Sequence, residues 1–292
     1  VSQDGAEVRS GRGVLDRRTV LGAGTRAAGV GALGVTSLML PAGSAAASTV
    51  LAAVPTSSLV VHLDASQPGG SPGTAWQDLS GNANNATPGT GVTFEAAAGG
   101  APAHYSFPGT SDAQRTDVGN GAIVGTVASP PTAYTKMVWF RRDTLNQPAN
   151  LASSDLRGTF TEHFMYFSGQ SADPLRRLTV GHNTAYVRFS SVRSVSANVW
   201  TFGAVTFSTA LGFRLFLNTT DRDWNGAAEV STSAYNAAQD ALGGPMALHI
   251  GTFDVANRLD GDVATLVVHA RELTEAEVKA YYASTVDRFH PS

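Results

Sequence analysis

From residue 59 onward, short apolar runs alternate with clusters of turn-forming residues. Residues 59–63, 137–140, 178–180, 185–189, 200–207, 213–217 and 247–250 are rich in β-branched and aromatic side chains, and Gly, Pro, Asn, Asp or Ser bounds each run. That combination predicts β-strands. In residues 213–218 Phe216 interrupts the alternation, which predicts that both faces of that strand are covered. The stretch 259–282 carries the clearest pattern. Val263, Thr265, Val267 and His269 fall on one face of a period-2 strand, and Ala264, Leu266 and Val268 on the other. The period then changes. Thr274 with Glu277 three residues later forms a capping box, and Leu273 can staple onto Val278, so a short helix is predicted to begin there. Helical periodicity occurs only at this C-terminal end. Many short strands with turns between them imply an all-β sandwich or barrel, and no internal repeat or long linker divides residues 50–292 into two cores.

The first 47 residues read differently. Arg17 and Arg18 precede a run from Val20 to Leu40 that only Thr25, Arg26, Thr36 and Ser37 interrupt; Pro41 ends it, and small residues at 43–47 offer A-x-A-like processing sites. This is the pattern of a twin-arginine export signal, which is excluded from reasoning about the fold. An uncleaved N-terminal anchor is the alternative. The chain is therefore divided into a leader (1–47), a short linker (48–57) and a folded domain (58–292), and its expected location is extracellular or at the cell surface.

Without the leader, Arg9, Arg12, Arg17, Arg18 and Arg26 are lost together with Asp4, Glu7 and Asp16. The remaining 15 basic and 20 acidic residues give a formal charge of −5. Nucleic acid and anionic lipid would both require a basic face, so neither is expected as a partner. Cysteine is absent. A secreted domain of this length without disulfides relies on one large core or on a bound metal, and export of an already folded chain suits it.

Several stretches resemble laminin-G-like, concanavalin A-like jelly-roll domains. Residues 59–66 followed by Trp76-Gln77-Asp78-Leu79-Ser80-Gly81-Asn82-Ala83-Asn84-Asn85-Ala86 are similar to the family's opening "L.LD......W.D.SGN.N.A" pattern. Residues 107–112, 134–141, 198–206, 213–218 and 248–251 match later strands and turns in the same order, and 259–282 matches the closing segment. Thr219 departs from the pattern, which usually has Gly there. The resemblance covers roughly residues 58–283. It implies a two-sheet antiparallel β-sandwich with one short C-terminal helix, facing a sugar or another surface. Related jelly rolls often carry calcium.

Candidate chemistry is sparse. Trp139 and Trp200 sit inside strand patterns and are read as core anchors. Gly81 and Gly109 suit turns that need positive φ, while Asn82, Asn84 and Asn85 can close their own turns or contact a ligand. Trp76, Trp224 and Tyr235 lie among loop residues and are the candidate sugar platforms, with Arg222 and Asn225 beside Trp224 as hydrogen-bonding partners. Packing of Trp224 over the edge of the sandwich is the competing reading. For Ca²⁺, which takes carboxylate and carbonyl oxygens, the acids nearest the family motifs are Asp64, Asp78, Asp260 and Asp262; solvated turn acids are the alternative. His62, His163, His182 and His249 show no zinc-ligand spacing. The E-x-D-x-E arrangement of sandwich glycosidases is missing, and Glu272, Glu275 and Glu277 are explained by the helix dipole. Asp155 with Glu162-His163 is the one acid–base cluster outside that helix. These readings favour a non-catalytic carbohydrate-binding or adhesive domain whose partner is a glycan or another extracellular polymer. A polysaccharide-active enzyme and a structural, protein-binding surface protein are the alternatives.

Overall fold

The structure is a computed structural model that describes residues 54–69, 72–119, 132–153, 163–167, 175–182, 187–191, 193–218, 223–226, 229–230, 248–253 and 257–291. The leader and linker assigned to residues 1–47 and 48–57 lie outside these, apart from 54–57. Among the described residues, sixteen strands run β1 (Leu59–Asp64), β2 (Ala86–Thr87), β3 (Thr93–Glu95), β4 (His104–Pro108), β5 (Thr116–Val118), β6 (Ala133–Arg142), β7 (Ala149–Ser153), β8 (His163–Phe167), β9 (Thr179–His182), β10 (Val187–Ser190), β11 (Thr201–Ser208), β12 (Gly212–Asn218), β13 (Glu229–Val230), β14 (Leu248–Phe253), β15 (Asn257–Arg258) and β16 (Asp260–His269). Helix α1 (Glu275–Thr285) follows. It is too short to cross a membrane, as is every helix among the described residues.

The strands form two antiparallel sheets. One has the order β13-β12-β11-β6-β16-β4-β3 with β1 added beside β16; the other has the order β10-β9-β8-β7-β14-β5-β2 with β15 beside β14. The predicted sandwich is present. Between the sheets lies a core that includes Leu63, Tyr105, Phe107, Val138, Phe140, Leu151, Met165, Phe167, Val205, Leu215 and Ile250.

A second apolar layer explains why the central strands do not alternate cleanly. Met137, Trp139, Phe202, Ala204, Phe216, Ala264 and Val267 emerge from the outer face of the first sheet and are covered by Leu273, Val278, Tyr281, Tyr282, Val286 and Phe289 of the C-terminal segment. Phe216 is thus buried beneath α1, as its break in the pattern predicts. Trp139 and Trp200 are buried too, at 0% and 8% exposure. The indole of Trp139 stacks on Phe289 at 4.1 Å and donates from Nε1 to Thr285 Oγ1 at 2.9 Å. Burial of each such aromatic stabilises the helix–sheet contact by about 1.5–3 kcal/mol.

In β16 the structure corrects the predicted faces. Opposite β6, Val263 pairs with Phe140 but Thr265 pairs with Trp139, so Ala264 is an inserted bulge residue. The bulge resets the alternation. Val263, Leu266 and Val268 point into the inter-sheet core, whereas Ala264 and Val267 lie under the helix and Thr265 Oγ1 accepts from the Tyr281 hydroxyl at 3.2 Å.

Helix α1 begins as predicted. Glu277 N–H donates to Thr274 Oγ1 at 3.3 Å, Thr274 N–H donates back to Glu277 Oε2 at 2.9 Å, and Leu273 and Val278 are both buried. Arg271 forks onto the same carboxylate at 2.5 and 3.1 Å. That guanidinium is the main reason the Glu277 carboxyl falls to about 2.

The opening motif also has a structural purpose. Asp78 accepts the N–H groups of His62 (2.8 Å), Ser80 (3.0 Å) and Asn84 (2.9 Å). Asn82 and Asn84 donate their amides to the carbonyls of Leu59 and Val60, at 2.8 and 2.9 Å. These side chains occupy backbone acceptors at the start of β1, where an open edge would invite pairing with another chain. Gly81 and Gly109 adopt the predicted positive φ, +87° and +66°.

Candidate functional site

A groove of about 550 Å³ opens where the loop after β12 meets α1. Asp223 and Trp224 form the loop wall; Lys279, Tyr282, Ala283, Val286 and Asp287 form the helical wall. The 3.6-residue period of the helix, carried into the turn that follows, aligns 279, 283 and 286–287 on one face. Asp223, Lys279, Ala283 and Asp287 are exposed, and Trp224 is half-buried.

The loop is held by a polar chain beneath it. Asn218, the last residue of β12, accepts the Asn225 N–H at Oδ1 (2.7 Å) and donates from Nδ2 to the Tyr282 hydroxyl (2.6 Å). Arg193 donates to the Leu217 carbonyl at 3.0 Å and to Asn225 Oδ1 at 3.3 Å. Gly226 lies against the Trp224 ring so closely that a Cβ there would stand 3.1 Å from Cη2. The indole meets Tyr282 edge-on, with Phe216 and Phe202 behind it at 6.1 and 6.3 Å. Trp224 therefore packs on the sandwich, the competing reading drawn from the sequence, and it also walls a groove.

The other candidate residues fare differently. Trp76 is fully buried and stacked on Tyr105 at 4.4 Å, so it offers no face to a ligand. Asn225 lies at the base of the loop, its carbonyl turned to Arg193. Arg222 and Tyr235 lie outside the described residues, as do Glu162 and Asp155.

The four acids proposed for calcium do not come together. Asp64 is fully buried, with both oxygens on Arg288 (2.7 and 2.8 Å) and a further bond from Ser66. Burial would raise its pKa, but the Arg288 fork outweighs this and holds the carboxyl below its usual value. Asp78 is filled by backbone N–H groups and Ser80. Asp260 accepts from Thr144 Oγ1 at 2.7 Å. Asp262, 1% exposed, lies 2.6 Å from Arg141 Nη2 and 3.6 Å from His104; burial still raises its pKa. Among the described residues no three His, Cys, Asp or Glu side chains converge on a cation position, so this donor set does not fit Ca²⁺.

One polar cluster was missed. Lys136, fully buried between the sheets, donates to the Ala152 carbonyl at 2.8 Å and meets His163 Nδ1; nearby, the Tyr134 hydroxyl and His182 Nε2 lie 2.9 Å apart. Burial holds both Lys136 and His163 well below their ordinary pKa values. The signal was present: a lysine in the middle of an apolar strand, residues 133–142. A second cavity, about 380 Å³, lies between residues 97–103, Ser66 and Arg288, and its walls are mostly methyl groups and backbone.

The fold and the groove define a concanavalin A-like β-sandwich. The chain belongs to the Laminin_G_3 family of the concanavalin A-like lectin/glucanases superfamily, whose pattern matches residues 115–279. No curated protein matches the sequence. Among solved structures, domain 4 of AbnA, an extracellular arabinanase from Geobacillus stearothermophilus solved with arabinotriose, superposes with a TM-score of 0.55 at 11% identity, covering 77% of this chain and 98% of that domain. The binding domain of botulinum neurotoxin DC, in complex with SialylT, gives 0.54 at 13% identity over 78% of this chain and 52% of the other. Trypanosoma rangeli sialidase gives 0.53 at 15% identity over 81% of this chain. The chain spans about a third of that enzyme, 34%. At these identities the likeness is one of fold.

Proposed function

We propose that this chain is a secreted, non-catalytic carbohydrate-binding or adhesive domain, exported by the twin-arginine leader of residues 1–47, with the Trp224 groove as its sugar site. The carrying observation is the groove itself, where a half-buried indole stands beside Asp223, Lys279 and Asp287. Sugar rings present apolar C–H faces to aromatics and hydroxyls to charged or amide groups, so a wall of this composition suits a saccharide. Two of the similar structures were solved with sugars, arabinotriose and SialylT, which supports the same reading.

A glycan array probed with the full chain tests it. The expected result is binding to one or more oligosaccharides, abolished by Trp224→Ala and weakened by Lys279→Glu, an exposed change that leaves the melting temperature unaltered. Failure of the wild type to bind any sugar would overturn the proposal. Incubation with mixed polysaccharides is expected to release no product.

A further inference from the structure

We infer that the second cavity, between residues 97–103, Ser66 and Arg288, is a site for the acetamido group of an N-acetylated sugar. It shares no residue with the Trp224 groove and stands or falls apart from it. Residues 97–103 supply four alanines, two glycines and a proline, so their side chains offer a wall with no polar group. Ala98 and Ala101 bond to each other across the Gly99-Gly100 turn at 2.9 and 3.2 Å, and both glycines hold a positive φ, +59° and +87°. Facing this wall are two polar groups that meet on one oxygen. Ser66 Oγ donates to Asp64 Oδ1 at 2.7 Å, and Arg288 Nη2 donates to the same oxygen at 2.8 Å, while Nη1 takes Oδ2 at 2.7 Å. The one hydrogen of the Ser66 hydroxyl is thereby spent, so Ser66 meets a ligand as an acceptor. Arg288 is donor only; two of its five N–H groups are on Asp64, and the others have no protein partner among the described residues.

One donor, one acceptor and a methyl-lined wall match an acetamide. Its carbonyl oxygen accepts from Arg288, its N–H donates to Ser66, and its methyl group leaves water against the alanines. A carboxylate can donate nothing to Ser66, and the Arg288 charge is already matched by the fully buried Asp64. An ammonium cannot accept from Arg288. Hydroxyls alone could fill both polar positions but would leave the alanine wall wet. At about 380 Å³ the cavity falls in the range of small-ligand sites, which leaves room for the sugar ring that carries the group.

Two hydrogen bonds and a methyl contact are too weak to survive the washing of an array, so the test is a titration in solution, read by NMR on the ¹⁵N-labelled full chain. N-acetylglucosamine is expected to shift the amides of Ser66 and residues 97–101 saturably, with an affinity about tenfold above that of glucose or glucosamine. Trp224→Ala should leave this response unchanged. Ser66→Ala should weaken it about fivefold, and Ala97→Leu/Ala98→Leu, at two exposed positions that line the cavity, should abolish it without altering the melting temperature. No saturable shift at these amides, equal affinity for glucose, or full binding by both variants would overturn the site. Shifts confined to residues 223–226 would do the same and leave the Trp224 groove standing as the sugar site. Tighter binding of an N-acetyl-lysine peptide would overturn the assignment to a saccharide.

Discussion

The rings of Trp224 and Tyr282 meet edge-on, 5.2 Å between centroids and 63° between planes, and join the two walls of the groove. Beneath them the Tyr282 hydroxyl accepts from Asn218, whose side-chain carbonyl in turn accepts the Asn225 N–H. Tyr282→Phe keeps the ring contact and removes the hydroxyl. We expect a loss of about 1 kcal/mol in urea unfolding and a larger proportional loss of sugar binding, because the Asn218 amide that accepts the Asn225 N–H loses the hydroxyl that orients it. Unchanged affinity in a variant of reduced stability would show that the loop does not depend on this chain of bonds.

Arg288 ties the C-terminal turn to the end of β1 through Asp64. The Asp64 carboxyl has a lowered folded-state pKa, so its stabilising contribution is complete above the unfolded carboxylate range near pH 3.9 and is lost as pH falls through the folded value. Arg288→Gln leaves a buried charge without its cation and is expected to cost about 3–5 kcal/mol at pH 7. The variant's deficit should shrink in acid, where Asp64 can be protonated. A loss below about 1 kcal/mol at pH 7 would mean that the pair contributes no more than an exposed bridge.

How far these relationships could be read in advance depended on sequence distance. The strands, the capping box at Thr274 and the doubly covered strand at Phe216 were legible because their causes are local: periodicity, caps and turn residues. The partnership of Asp64 with Arg288 spans 224 residues, and nothing local marks it. Trp76 looks like a loop aromatic until Tyr105, from another strand, closes over it. The bulge at Ala264 shifts the faces of β16 with no Gly or Pro at that residue to announce it. Half of the groove was visible as Trp224. The other half, on α1, follows only once the helix is docked.

Acid should loosen the domain through its buried imidazoles. His62, His163 and His269 are all lowered by burial, His269 to about 4. The unfolded chain therefore binds more protons than the folded one below about pH 6.5, and stability falls as pH drops from there toward 4. Asp262, raised by burial, opposes this trend as one group against three. Lys136, also lowered by burial, adds the same dependence on the alkaline side, with stability rising toward its unfolded value near 10.4. The His62 ring is 1% exposed, and neither nitrogen has a partner among the described residues. His62→Leu should stabilise the domain more at pH 5 than at pH 8. Urea midpoints across this range check both statements, and a flat profile between pH 7 and 4 would contradict them.

Calcium provides the last test, because its expected ligands are committed elsewhere. Asp64 is held by Arg288, Asp78 by backbone N–H groups, Asp260 by Thr144 and Asp262 by Arg141. Drawing any of the two arginine-paired acids onto a cation would strand a guanidinium, and no third acidic or imidazole ligand stands nearby among the described residues. A metal that binds the folded state alone, at a hundredfold excess over its Kd, stabilises by about 2.7 kcal/mol. In a domain of this size that raises Tm by roughly 5–10 °C. We expect excess chelator or added Ca²⁺ to move Tm by less than about 1 °C on that scale. A rise of several degrees with Ca²⁺, reversed by chelator, would show that the four acids rearrange or that a site exists outside the described residues.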